Sequence, residues 1–493
     1  MNCFLGADLG TTNVKILAMT PDGTVVAHDS ESVDTLQPKP GCSEQSPVAV
    51  RAAFYQVLRS VCEQLAAKGL RPDVMTFSTA MHSLLAVDAA GKPLTNAILW
   101  SDNRAEKQVD RLKKDSPDFV SKLYRQTTIP LHPMTPFSKL LWFADNPRRI
   151  PARTDRWISL KEYIWHSLTG RYQIDFSMAG ATGLFDTRRK RWYAPALDRA
   201  GIRPDQLSEP VPTTFTVEYD GRVGELPGFP AGVRLVAGAS DGCLANLGAA
   251  AIEPGVTTLT IGTSGAIRRT VDKPMADPEQ RLFCYILDDD ADHPRYIVGG
   301  PTNNGGNVLQ WLTENLTLQD TEETLKQAAS VPAGSDGLLF LPYLQGERAP
   351  LWNAHARGAY LNVAWHHTQA HFIRAALEGV LFNLLTIENL LARRTGPTRI
   401  IHANGGFANS DLWVQMLADI SGVPVRLNDS NESGSTGAIL LGMKATGLVP
   451  TLQEASRLVG FGRTFEPDPA CHAVYRQAFQ RFAAHCNAEW YSA

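Results

Sequence analysis

A short pattern that occurs twice limits what this chain can fold into. Residues 3–7 are apolar and read as a strand, Gly10-Thr11-Thr12 forms a tight turn, and residues 14–19 read as the next strand. The same order returns as 257–261, Gly262-Thr263-Ser264 and 266–271. In a chain of 493 residues the two turns stand close to half a length apart. A repeat on that scale predicts two similar halves, each offering one glycine–hydroxyl turn. Backbone N–H groups at such a turn can cradle phosphate oxygens, and hydroxyls add donors. The GxxxxGK[ST] spacing of a Walker A loop is absent.

Two further residues of the first turn carry chemistry. Asp8 can hold a magnesium ion through water, because Mg²⁺ keeps several waters and takes one or two carboxylates. Lys15 can reach a phosphate. The alternative is an ordinary hairpin with a solvated lysine. Midway along the chain, Leu235-Val236-Ala237 runs into Gly238, and Asp241 follows among small residues. A carboxylate with so little bulk around it is open to a substrate and can take a proton from a hydroxyl. Asp241 can equally cap the helix expected over 242–251, since Asp is a good N-cap.

Composition narrows the classes. A single core stops growing near about 250–300 residues, so two domains are expected, here 1–243 and 244–493. Apolar content of 44% and charged content of 20% fit a globular fold. A net charge of −3 gives no basic footprint for nucleic acid and no polybasic membrane anchor. No stretch reads as a membrane span of about 18–20 apolar residues. The seven cysteines are scattered, with no CxxC pair and no zinc spacing. With no signal-peptide pattern at the start, a reducing cytoplasm is the expected compartment.

Along the chain, 24–27 reads as a third strand, 47–68 as a helix, and 74–78, 84–87 and 97–100 as strands. The loops after these strands hold Met81, His82, Trp100, Asp102 and Arg104. Asp102 can accept from sugar hydroxyls, Arg104 can bind a carboxylate or hydroxyls, and Trp100 can wall a site. Against this, Met81 and Trp100 can be core, His82 a satisfied interior histidine, and Asp102 a helix cap or the partner of Arg104. The segment 116–171 reads as mainly helical, broken by prolines. Its Lys139 and Lys161 sit among apolar residues; such lysines usually keep their heads in water, and lining an anionic pocket is the other reading. In the second half, 369–393 reads as a long helix, and 399–403 runs as a strand into Gly405-Gly406. There the backbone can approach a flat purine without Cβ clashes, and the following helix start adds donors. Ser433 to Ala438 begins a small-residue helix that must pack very close to its neighbour.

Eight stretches in order resemble the FGGY family of carbohydrate kinases: GADLGTTNVK, AMHSLLAVD, LWSDNRA, GASDG, IGTSG, NNGGNVLQWL, GERAP and GGFANSDLWVQMLADISG. The resemblance spans roughly residues 7–442. It implies an α/β fold of two ribonuclease-H-like domains, similar to actin and hexokinase, around an ATP cleft. It implies ATP and Mg²⁺ as cofactors, a small sugar or sugar acid as substrate, and, by family habit, a homodimer. By motif position, it implies Asp241 as catalytic base and Asp8 as the magnesium-associated carboxylate. Thr11, Thr12 and Lys15 fall at the first phosphate turn, and Gly262 and Thr263 at the second. Gly306, Gln310, Gly406, Asn409 and Ser410 fall where nucleotide is bound. Met81, His82, Trp100, Asp102 and Arg104 fall where the sugar lies. Met-His stands where members acting on glycerol carry Arg-Glu. Several stretches look closest to members acting on gluconate. Its carboxylate calls for a cation, with Arg104, Lys139, Lys161 and His132 as candidates.

Overall fold

The computed structural model describes residues 2–221, 228–317, 320–429 and 432–486. The chain forms two compact units. One comprises Met1–Ile252, Val271–Ile297 and Glu432–Val459; the other comprises Glu253–Thr270, Val298–Asn431 and Gly460–Ala493. Neither is one continuous stretch, so the chain crosses between units several times.

The first unit is built on a six-stranded sheet. Its order is Thr216–Glu218, Arg234–Ser240, Arg71–Thr79, Asn2–Leu9, Asn13–Met19 and Val25–Ser32. The last three form the expected antiparallel meander. Arg71–Thr79 pairs parallel with Asn2–Leu9, and Arg234–Ser240 pairs parallel with Arg71–Thr79. In that register Leu9 lies opposite Thr79, and Thr79 opposite Ser240. The carboxyl ends of three strands therefore finish level, and ligands of α/β sheets bind at such ends. Apolar side chains of these strands and of the helix Pro47–Ala67, capped by Ser46, form one continuous core.

Gly238 does not end its strand, as the sequence suggested. It sits in a bulge with φ +75°, and a Cβ there would lie 1.9 Å from the Phe77 carbonyl oxygen. Only glycine fits both conditions, and the strand resumes at Ala239.

The second unit repeats the local pattern. Val256–Ile261 pairs antiparallel with Gly265–Val271 across the turn 262–264, and parallel with Ile400–Asn404. Val425–Asn428 and Phe461–Phe465 extend the sheet. The helix Gln369–Thr395 is long and apolar enough to cross a membrane, although no stretch read as such a span in the sequence. In the fold 78% of its most apolar window is buried, and it carries buried Arg374, Glu378 and Asn383, so it is a core helix. The segment 116–171 holds the helices Pro117–Thr127, Pro136–Asp145 and Leu160–Thr169, with an unforeseen short strand, Arg156–Ile158.

The helix Ser433–Ala445 packs on the helix Asp241–Gly248 as closely as its composition demands. A Cβ on Gly437 would lie 1.9 Å from the Leu244 carbonyl oxygen, and one on Gly248 would lie 2.0 Å from that of Ser433. Helix propensity alone favours alanine over glycine by about 1 kcal/mol, whereas overpacking a tight contact costs about 1–3 kcal/mol. Gly437→Ala is therefore expected to lower the unfolding free energy in urea titration. A neutral or stabilising result would contradict the contact.

Candidate active site

Asp241 stands where the strand Arg234–Ser240 passes into the helix Asp241–Gly248. The N-cap position belongs to Ser240, whose φ of −67° and ψ of 153° are extended. Asp241 is the first helical residue, so it is not the cap. Its Oδ1 accepts from the Gly242 N–H at 2.7 Å. Ser177 Oγ lies 3.0 Å from Ser240 Oγ and accepts from the Ser240 N–H at 3.2 Å. Behind the strand, Lys161 Nζ donates to the Ala239 carbonyl at 3.3 Å and to Asp175 Oδ2 at 2.6 Å. Asp175 Oδ1 in turn caps the helix Phe176–Ala181. A buried ion pair thus braces the backbone that presents Asp241.

The first turn lies two strands away at the same sheet edge. Gly10 N–H donates to the Asn13 carbonyl at 3.0 Å. Thr11 is held on two sides: its carbonyl accepts from Gln45 Nε2 at 2.6 Å, and its hydroxyl from Trp100 Nε1 at 3.0 Å. Thr12 is exposed. Asp8 pairs in register with Ser78, whose hydroxyl donates to Oδ1 at 2.6 Å. Burial pushes the Asp8 carboxyl above its usual range, opposed by the Ser78 hydrogen bond and by Lys15. A Cβ at Gly434 would come within 2.8 Å of Asp8 Oδ2, so glycine keeps that oxygen uncrowded. Lys15 is engaged with Glu432 at 2.9 Å.

One of the remaining sugar-side candidates, Asp102, is structural. Asp102 is fully buried. It accepts from Ser43 N–H, and from Arg104 through N–H, Nε and Nη2, at 2.7–3.0 Å. A carboxylate has about four lone-pair sites, so none remains for a ligand hydroxyl. Of the readings weighed from sequence, pairing with Arg104 is the one that the fold realises. Arg104 also reaches Glu44 at 2.6 Å and lies over the Trp142 ring.

His82 occupies a left-handed conformation, φ +69°, next to the half-buried Met81. Its Nδ1 lies 2.8 Å from the Ala181 carbonyl and its Nε2 3.5 Å from Tyr285 Oη. Lys139 Nζ donates to the carbonyls of His82 and Ile98. Neither Lys139 nor Lys161 keeps its head in water, as a local rule would have it; both are buried. His132 is buried in a turn, where its Nδ1 accepts from Met134 N–H.

The second unit gathers its own set. Gly262 N–H bonds to the Ser264 carbonyl at 2.9 Å, and Thr263 is exposed. Gly306, first residue of the helix Gly306–Leu312, donates to the Gly262 carbonyl at 2.7 Å, and Asn307 to that of Thr263 at 3.1 Å. Gln310 is exposed on that helix and bonds to Glu314. Gly405 leaves the neighbouring parallel strand at φ +99°. Gly406 and Asn409, both exposed, bound a short helix whose Phe407 is buried, and Ser410 caps the helix Asp411–Ser421. The turn and the Gly405 loop leave adjacent strands at the same edge.

One residue without an assigned role anchors this set. The buried Glu347 accepts at Oε2 from Thr302, Asn304 and Asn383, and at Oε1 from the N–H groups of Asn303 and Arg348, at 2.6–3.2 Å. It fixes the loop that leads into Gly306. The GERAP motif marked its position, but partners spread over 302–383 are not readable from spacing.

Both units therefore carry a glycine–hydroxyl turn at the carboxyl ends of parallel strands, and the first adds a braced Asp at the same edge. The chain matches the model of the FGGY family of carbohydrate kinases, N-terminal domain, over residues 3–248 and the C-terminal domain over 257–446. It belongs to that family, and is an ATP-dependent sugar kinase of two ribonuclease-H-like domains. It is 39% identical to a gluconokinase of Bacillus subtilis, over 92% of this chain and 90% of that protein. It is 29% identical to a xylulose kinase of Staphylococcus epidermidis, over 97% and 95%. A solved gluconate kinase from Lactobacillus acidophilus superposes with a TM-score of 0.93 at 33% identity, over 100% of this chain and 99% of that one. A ligand-bound xylulose kinase structure from the same organism gives the same figures.

Burial pulls the Lys139 amine down to about 7, against an ordinary value of 10.5. Between those values the unfolded chain holds the extra proton, so this lysine makes stability rise with pH. The unfolding free energy of the wild type minus that of Lys139→Met should therefore increase from about pH 7 to about pH 9. A difference flat in pH would contradict a neutral buried amine.

Proposed function

We propose that this kinase phosphorylates D-gluconate to 6-phospho-D-gluconate, with Asp241 as general base. The observation that carries the substrate is the gap in identity: 39% and 38% to two gluconokinases, against 26–30% to the xylulose kinases. Chemistry adds a reason. A sugar acid needs an N–H donor that is not already used. Of the four cations considered, Lys161 is engaged with Asp175, Lys139 with two carbonyls, and His132 is buried in a turn. Arg104 keeps some exposure, and its bonds to Asp102 and Glu44 leave Nη1 uncommitted. We take Arg104 as the reader of the carboxylate.

In this reading Asp241 accepts the proton of the acceptor hydroxyl as its oxygen attacks the γ-phosphorus of ATP and ADP departs. At the first turn the N–H and hydroxyl groups of Thr11 and Thr12 hold phosphate oxygens, and at the second turn those of Thr263 do; fixed donors of this kind stabilise developing charge. Asp8, with Oδ2 unobstructed, suits a water-mediated magnesium ion, which would offset phosphate charge. Among the described residues there is no group of three or more His, Cys, Asp or Glu side chains that could hold a metal ion.

Asp241→Asn should leave the fold and ATP affinity intact and lower kcat by about 10²–10⁴. Near-wild-type turnover would refute the base assignment. The Met81-His82 pair and the equal similarity to a xylulose kinase structure favour D-xylulose as the second reading. ADP release measured on both compounds should give kcat/KM for gluconate at least about tenfold higher, as expected when one charged contact separates two substrates. A preference for D-xylulose would overturn the substrate.

A further inference from the structure

A cavity of about 690 Å³ in the first unit is not lined by any of the residues considered above. It lies between the end of the helix Pro117–Thr127, the loop around Arg188 and the segment 276–280. Its floor is the buried Tyr124, whose phenol donates to the Leu282 carbonyl at 2.7 Å and accepts from Asp277 N–H at 2.8 Å. Its lining includes Arg125, Arg188 and Arg189, together with Asp186 and Asp277.

The carboxylates are already engaged. Asp277 takes three bonds from Arg281, at 2.9–3.0 Å. Asp186 accepts from the backbone N–H groups of Arg188 and Arg189 and from the Arg189 guanidinium. Arg281 also meets Glu279. Four guanidinium groups thus stand against three carboxylates. Among the described residues, Arg125 and Arg188 have no carboxylate partner; Arg125 bonds only to Ser121. Two arginines with uncommitted guanidinium forks lining one hollow suit an anion able to take two N–H donors from each.

We propose that this cavity binds a small phosphate monoester, with Arg125 and Arg188 as the anion-binding pair. The site stands on its own geometry; only the choice of probe rests on the proposed reaction. The probe is 6-phospho-D-gluconate, titrated calorimetrically without ATP in 150 mM NaCl so that weak surface attraction is screened, the Debye length then being about 8 Å.

The wild type is expected to bind two molecules per chain, one at the substrate site and one in the cavity. The double variant Arg125→Ala/Arg188→Ala is expected to bind one, the second weakened at least tenfold. Both arginines are exposed, so the variant should fold, which an unchanged affinity for ATP would verify. Should the substrate reading fail, the counts become one and none, and the cavity still stands. Equal stoichiometry and affinity in wild type and variant would overturn the proposal.

Discussion

Parallel backbone pairing among three strands sets everything else in the first unit. Because Leu9, Thr79 and Ser240 finish in register, the Gly10–Thr12 turn, the Met81-His82 loop and Asp241 all leave one sheet edge. These three pieces are some 70 and 160 residues apart in sequence, and no local interaction could gather them. A slip of one residue would send every side chain to the opposite face, so the buried core on both faces enforces the register. The bulge at Gly238 is the adjustment within that pairing, and it sets where Asp241 emerges.

In each unit the chain spends polar groups on holding its own loops. Asp102 locks Arg104 and the backbone of Ser43; Asp175 and Lys161 brace the Ala239 carbonyl; Glu347 ties down the loop before Gly306. Buried charges are costly unless paired and hydrogen-bonded, and removing one partner leaves an unsatisfied group. Such clusters do little for net stability compared with an apolar core. They do fix geometry, and phosphoryl transfer depends on positioning more than on covalent help from the protein.

Much of this was legible in the sequence. The repeated turn predicted the repeated strand pairing, and the small-residue run at 433–438 predicted the tight helix contact. The helix expected over 47–68 forms as Pro47–Ala67. What stayed hidden was non-local. The buried state of Lys139 contradicts a sound local rule, because its carbonyl partners, at positions 82 and 98, come from other segments. Asp102 offered two local readings, and only the approach of Ser43 and Glu44 decides between them. The exact start of the Asp241 helix turned on one residue, since Ser240 and Asp241 are both competent caps. Discontinuous units cannot be read from a boundary in composition at all.

The central claim is that the Asp241 carboxylate receives a proton from the acceptor hydroxyl during phosphoryl transfer. A crystal structure of the chain with gluconate, ADP and an aluminium fluoride mimic of the transferring group tests it most directly. The account predicts an Asp241 oxygen within about 2.6–3.2 Å of the gluconate C6 oxygen, with that oxygen in line with the metal fluoride. A C6 oxygen bonded to a different side chain, with Asp241 turned away from the ligand, would contradict it.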